Sequence, residues 1–188
     1  MRTIITLLLL VLGGAAMAQD AERIYAEGKA YYDRKNYTQA VSRLKEAADL
    51  GHKKAQYRLA KCYDKGLGTK ENDHLAFQWY MKAAEQGYAK AQYEVGKCYK
   101  NGEGTKEDRA KAVEYFKKSA EQDNAEAQLA LGKCYMKGKG VPEDLKKAKE
   151  LFKKAVANEK DGAEVMLELR AEAKQGDMDA KRILEMVK

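Results

Sequence analysis

Small and apolar residues return along this chain in steps of three and four, and the blocks they form recur every 36 residues. Ala55, Leu59, Ala60 and Tyr63 make one block, Ala91, Val95, Gly96 and Tyr99 the next, and Ala127, Leu131, Gly132 and Tyr135 a third. Steps of three and four mark one side of a helix. The pattern predicts a helix, here helix A, over 55–65, 91–101 and 127–137. A second set follows each block: Ala76, Tyr80 and Ala83; Ala112, Phe116 and Ser119; Ala148, Phe152 and Ala155. It predicts helix B over 70–86, 106–122 and 142–157. Small residues alternating with a ring let two helices approach closely while the ring fills the gap.

The segments between are written in glycine. Gly66-Leu67-Gly68, Gly102-Glu103-Gly104 and Gly138-Lys139-Gly140 predict turns that end helix A with left-handed backbone. Thr69 and Thr105 are the expected N-caps of helix B, with Asp108 reinforcing the second, and Pro142 the expected first helical residue of the third copy. Gly51, Gly87 and Asp123 are the expected residues just past helix B. An altered copy comes first. Gly28, Tyr31, Ala40, Leu44 and Ala47 fit the core positions, but Tyr31 to Ala40 spans 9 residues where Tyr63 to Ala76 spans 13. At the far end, Ala163 and Leu167 continue the register, the tyrosine is lost, and a short charged helix is expected over about 177–187. Such a pair suits a terminal cap. The expected fold class is all-α, an α/α superhelical solenoid of helix-turn-helix repeats.

These residues carry a resemblance. "AQYEVGKCYKNGEGTKEDRAKAVEYFKKSAEQD" and "FQWYMKAAEQG" resemble the Sel1-like repeat, and residues 19–54 resemble the related tetratricopeptide repeat. The expected organisation is a signal peptide at 1–18, a tetratricopeptide-like first repeat at 19–54, three Sel1-like repeats at 55–162 and capping helices at 163–188. The resemblance implies an α-solenoid that serves as a scaffold for partner binding, and it names no partner.

Composition narrows the reading. The first residues carry one Arg, an apolar stretch from Ile4 to Leu12, and then small residues with Ala16 and Ala18 at the positions of an export-signal cleavage site. The stretch is too short to span a bilayer. An exported chain, periplasmic or secreted and without stable membrane insertion, is expected. Cleavage after Ala18 would leave 35 basic residues against 29 acidic ones, lowering the net charge from +7 to +6. Charges of both signs are interspersed, as on solvated helix faces. No reading motif for nucleic acid accompanies them. Asn36-Tyr37-Thr38 is an N-glycosylation sequon, relevant only in a eukaryotic secretory pathway.

Cys62, Cys98 and Cys134 lie 36 residues apart. Repetition points to architecture, and the expected role is a small buried residue of helix A, matched by Ala30 in the first copy. Helices stacked roughly 8–10 Å apart hold equivalent cysteines beyond the ~7 Å reach of a disulfide. Secreted cysteine-rich relatives reported as binding or hydrolysing β-lactams carry a second Cys per repeat. Helix B here has none, and β-lactam binding or hydrolysis remains only an alternative. Neither a C-x-x-C pair nor a histidine companion suggests a metal, and His52 and His74 stand isolated in sequence. No catalytic constellation or cofactor is expected; the Gly-x-Gly segments lack the preceding strand of a dinucleotide site.

Binding is better supported. In resembling superhelices helix A lines the concave face. Lys29, Lys61, Lys97 and Lys133 follow the small position, and Tyr25, Tyr57 and Tyr93 lie four residues before the first three. Tyr32 and Lys100 lie one turn further on. These residues form the expected partner surface, fit for a protein or peptide with acidic groups, or alternatively an acidic polysaccharide. The competing reading packs the tyrosines between helices and leaves the lysines as solubilising charges.

Overall fold

The structure, a computed structural model, describes residues 2–188, and side chains from residue 16 onward. All regular structure in the described residues is helical, and the fold is all-α. The helices are α1 (Arg2–Asp33), α2 (Tyr37–Asp49), α3 (Lys53–Lys65), α4 (Asp73–Glu85), α5 (Ala89–Asn101), α6 (Arg109–Ala120), α7 (Ala125–Lys137), α8 (Leu145–Ala157), α9 (Gly162–Lys174) and α10 (Met178–Val187). They fall into two compact units, Met1–Tyr88 and Ala89–Lys188. In each unit consecutive helices pack on one another. The expected export signal at 1–18 falls almost entirely on residues whose side chains lie outside those described. Residues 16–20 are exposed, and Ala21 is the first buried side chain among those described.

Helix A is α3, α5 and α7, each two residues longer at its start than expected. Its end follows the glycine signal. Gly66 and Gly138 are left-handed, with φ of 61° and 63°. Their N–H groups, and that of Gly102, reach the carbonyls of Cys62, Cys134 and Cys98. The second glycine of the turn serves packing. A Cβ on Gly68 would sit 2.4 Å from the Tyr37 carbonyl oxygen in the first unit, and one on Gly140 would sit 2.3 Å from that of Arg109 in the second.

Helix B starts later than expected. Thr69, Thr105 and Pro142 lie in the turn, and the caps are Asn72, Asp108 and Asp144, whose side chains accept from Leu75, Lys111 and Lys147 N–H at 2.9 Å. The turn runs on because the same three residues donate their own N–H to the carbonyls of Tyr63, Tyr99 and Tyr135 at 2.8–3.0 Å. That closure moves the helix start three residues past the threonine and the proline.

The ring positions behave as the alternation implies. A Cβ on Gly96 would lie 2.5 Å from the Phe116 ring, and one on Gly132 2.4 Å from Phe152. Each phenylalanine is fully buried, which stabilises by about 1.5–3 kcal/mol.

Two register expectations fail. Leu167 is 66% exposed, while Val165 and Leu169 enter the core with Ile183. Six residues separate Ser119 from Ala125, but seven separate Ala155 from Gly162, and the extra residue turns α9 to a new face. Ala30 is exposed, unlike Cys62, because no helix packs on that side of α1 among the described residues.

Candidate functional site

The expected partner residues belong to helix A and its counterpart α1, and each unit holds its own set. In the first unit Tyr25 is buried. It stacks on His52 at 4.3 Å between ring centroids, and its hydroxyl accepts from Arg58 Nε at 3.2 Å. Tyr32 is half-buried, edge-on to Tyr37 at 5.3 Å, with the Arg58 guanidinium 5.1 Å from its ring centroid. Burial pushes its hydroxyl up from the usual tyrosine range. Arg58 thus bridges Tyr25 and Tyr32, a role the sequence pattern did not reveal; its position three residues before Lys61 on the same helix was the only signal. Lys29 points outward and pairs with Asp33 at 2.6 Å. Tyr57 packs against Tyr80 and Tyr88, and Lys61 Nζ sits 5.9 Å from the Tyr57 ring.

His52 is not isolated. Its Nδ1 accepts from Ala55 N–H at 3.1 Å and caps α3, while Nε2 lies 2.9 Å from Glu22 Oε2. The cap needs a lone pair on Nδ1, so neutral His52 carries its proton on Nε2 and donates to Glu22. That hydrogen bond holds the Glu22 carboxyl below the usual carboxylate range.

In the second unit Tyr93 packs on Phe116 at 5.9 Å. Burial pushes its hydroxyl up to about 12, against the opposing pull of Lys97. Lys97 lies 5.5 Å from the Tyr93 ring and 2.8 Å from Glu94. Lys133 has Leu129 rather than a tyrosine one turn before it, and pairs with Glu172 of α9 at 3.6 Å.

Between α5 and α7, over the start of α6, lies a groove of about 400 Å³. Tyr93, Leu129 and Ala130 line it, with Phe116 and Cys134 behind. Five cations surround it: Lys100, Arg109, Lys133, Lys137 and Lys139. Glu126 is its one carboxylate, at the opposite end of α7 from Lys137. Burial, then Glu94, push that carboxyl up, although part of the residue reaches solvent. Three cations have carboxylates of their own: Arg109 with Glu107 at 2.8 Å, Lys133 with Glu172, and Lys137 with Asp179. Lys100 and Lys133 were expected here from the repeat. Arg109 and Lys139 were not singled out, because they come from a helix start and a turn.

The three cysteines are buried and stand outside any disulfide. Burial pushes Cys62 up to about 11. It also raises Cys134, opposed by Lys100 and Lys139. Thiols held protonated in this way are poor nucleophiles. Among the described residues no group of three or more His, Cys, Asp or Glu side chains could hold a metal ion. No helix among them is long and apolar enough to cross a membrane.

The Sel1 repeat family model matches four segments, residues 14–52, 53–88, 89–124 and 125–159. Among solved structures, a Sel1 repeat protein from Oxalobacter formigenes is similar at 30% identity and a TM-score of 0.72, over 87% of this chain and 67% of that one. A protective antigen of uropathogenic Escherichia coli with an SLR fold is similar at 28% identity and a TM-score of 0.73, over 93% of this chain and 40% of that one. Helicobacter pylori cysteine rich protein B is similar at 28% identity and a TM-score of 0.51, over 65% of this chain and 93% of that one. No curated protein matches the sequence.

Proposed function

The chain belongs to the Sel1-repeat family, whose members are generally scaffolds for protein–protein interaction, and on that premise we propose that it is an exported, non-enzymatic adaptor that holds a protein partner on its helix A faces. In this reading the signal at 1–18 is removed, residues 19–54 form the first repeat, 55–162 the three regular ones, and 163–188 the cap. The supporting observation is the groove between α5 and α7. There two copies of helix A hold apolar side chains beneath a rim of cations. Depressions of this kind, apolar within and charged at the edge, suit a partner's side chains better than a smooth helix surface does. The expected export rests on the sequence of residues 1–18; of the described side chains, those at its end, residues 16–18, are exposed.

Site-specific photo-crosslinking tests the reading. A benzophenone side chain at position 100 or 133 should capture a partner protein in the native extracytoplasmic fraction. The same group at exposed Lys149 or Lys153 of α8 should not. Crosslinks only from α8 would move the binding surface away from helix A. A mature N-terminus at Gln19, read by mass spectrometry of the native protein, would support export, and an intact Met1 in a cytoplasmic fraction would contradict it.

A further inference from the structure

The groove has a chemical direction. Glu126 stands in the first turn of α7 and Lys137 in its last. Eleven residues of rise separate them, roughly 16 Å, which an extended peptide covers with about five residues. Apolar surface from Tyr93, Leu129 and Ala130 lies along the path. At the cationic end, Lys100 and Lys139 have no ion-pair partner among the described residues, while Arg109 has only an exposed one. Both lysines line the groove together with Cys134. An acidic polysaccharide would match the cations but would leave the apolar strip uncovered. A nucleic acid would need a free ring to stack upon, and Tyr93 is already packed on Phe116.

Building on the adaptor reading above, we propose that this groove binds a short extended peptide segment of the partner, with an apolar side chain seated on Leu129 and Ala130 and two or more carboxylates meeting Lys100, Lys139 and Arg109. The apolar contact supplies most of the affinity, and the carboxylates set direction and association rate. Glu126 at the far end disfavours an acidic residue there, so a carboxylate-rich segment without the apolar anchor binds less well.

Fluorescence anisotropy with labelled synthetic peptides on the full chain tests this. The probe is Gly-Leu-Ala-Asp-Glu-Asp; the comparisons are Gly-Ser-Ser-Asp-Glu-Asp, Gly-Leu-Ala-Lys-Arg-Lys and an oligogalacturonate. The first should bind most tightly, and Lys100→Glu with Lys139→Glu should weaken it on the order of tenfold or more. Lys149→Glu with Lys153→Glu, on the exposed side of α8, should leave it unchanged. Unaltered binding to the groove variant, or equal binding of the serine peptide or the oligogalacturonate, would overturn the proposal and indicate a general polyanion surface. Failure of the probe to bind, together with continued crosslinking of a partner from position 133, would overturn the peptide assignment and leave the adaptor reading standing. Loss of both would remove both.

Discussion

The α5–α6 repeat and the α7–α8 repeat follow one template, yet their equivalent side chains meet different fates. Gln92 and Gln128 are both buried at the same position of helix A. Gln92 Oε1 accepts from Gln122 Nε2 at 2.7 Å. The residue 36 later than Gln122 is Asn158, one methylene shorter. It donates to the Asp123 carbonyl at 2.9 Å and accepts from Lys160 and Asp161 N–H to build the α8–α9 turn. Gln128 Oε1 is left with no hydrogen-bond partner among the described residues. The lysines diverge too. Lys97 lies over Tyr93, whereas Lys133 crosses to Glu172 of α9. A repeat therefore preserves its apolar frame while its polar positions are redirected by whatever follows, and the groove lies where the two treatments meet.

If the frame is shared, ring deletions should be equally severe in both repeats. Phe116→Ala and Phe152→Ala should each cost about 4 kcal/mol by urea unfolding. A much smaller loss in α8 would mean that the terminal repeat has a looser core. The turns come next. Gly140→Ala combines left-handed strain with a clash against the Arg109 backbone, and about 3 kcal/mol is expected. Gly176→Ala shares a positive φ of 98° but meets nothing within 4 Å, so about 1 kcal/mol is expected. Equal losses would show that φ alone governs these positions.

The polar comparison gives a smaller effect. Gln92→Leu removes a buried amide and the short bond it accepts from Gln122, and should cost roughly 1–2 kcal/mol. Gln128→Leu removes an acceptor that is already unsatisfied together with long donations to the Ala120 carbonyl and Asp123 at 3.3 and 3.5 Å; that carbonyl keeps its bond from Asp123 N–H, so a loss of only about 0.5 kcal/mol is expected. Reversal of that order would break the comparison.

Alkali should separate the repeats more finely still. Tyr93 titrates near 10 unfolded and about 12 folded, whereas α7 has Leu129 in its place. The folded chain keeps the proton longer, so this stability is complete below pH 10 and is lost as pH rises towards 12. The melting temperature should fall over that window, and Tyr93→Phe should flatten the fall. An unchanged slope would place the lost protons elsewhere.

The helices and their pairing were legible because a 36-residue period repeats the same steric problem: small residue against ring, glycine at a left-handed turn. The helix B starts were misread because Asn72, Asp108 and Asp144 are fixed by hydrogen bonds back to Tyr63, Tyr99 and Tyr135, which lie a whole turn away in sequence. Leu167 was misplaced by a one-residue insertion that only packing reveals. Of the site, Lys100 and Lys133 followed from the period. The neighbouring Arg109 and Lys139 did not, because a groove collects residues from three elements whose charges look like ordinary solvated surface when read in line. The tyrosines were half legible: their spacing was right, but Tyr25 is spent on His52 and Arg58 rather than offered to a ligand.

The central claim is that helix A of the second unit carries the binding surface. Backbone amide shifts of the isotope-labelled chain, followed while the apolar-acidic peptide is added, test it most directly. The account expects the largest changes on α5 and α7, around Tyr93, Lys100, Leu129 and Lys133, with α8 and α10 unmoved. Changes concentrated on the exposed side of α8, or none beyond those caused by an equal charge of free glutamate, would contradict it.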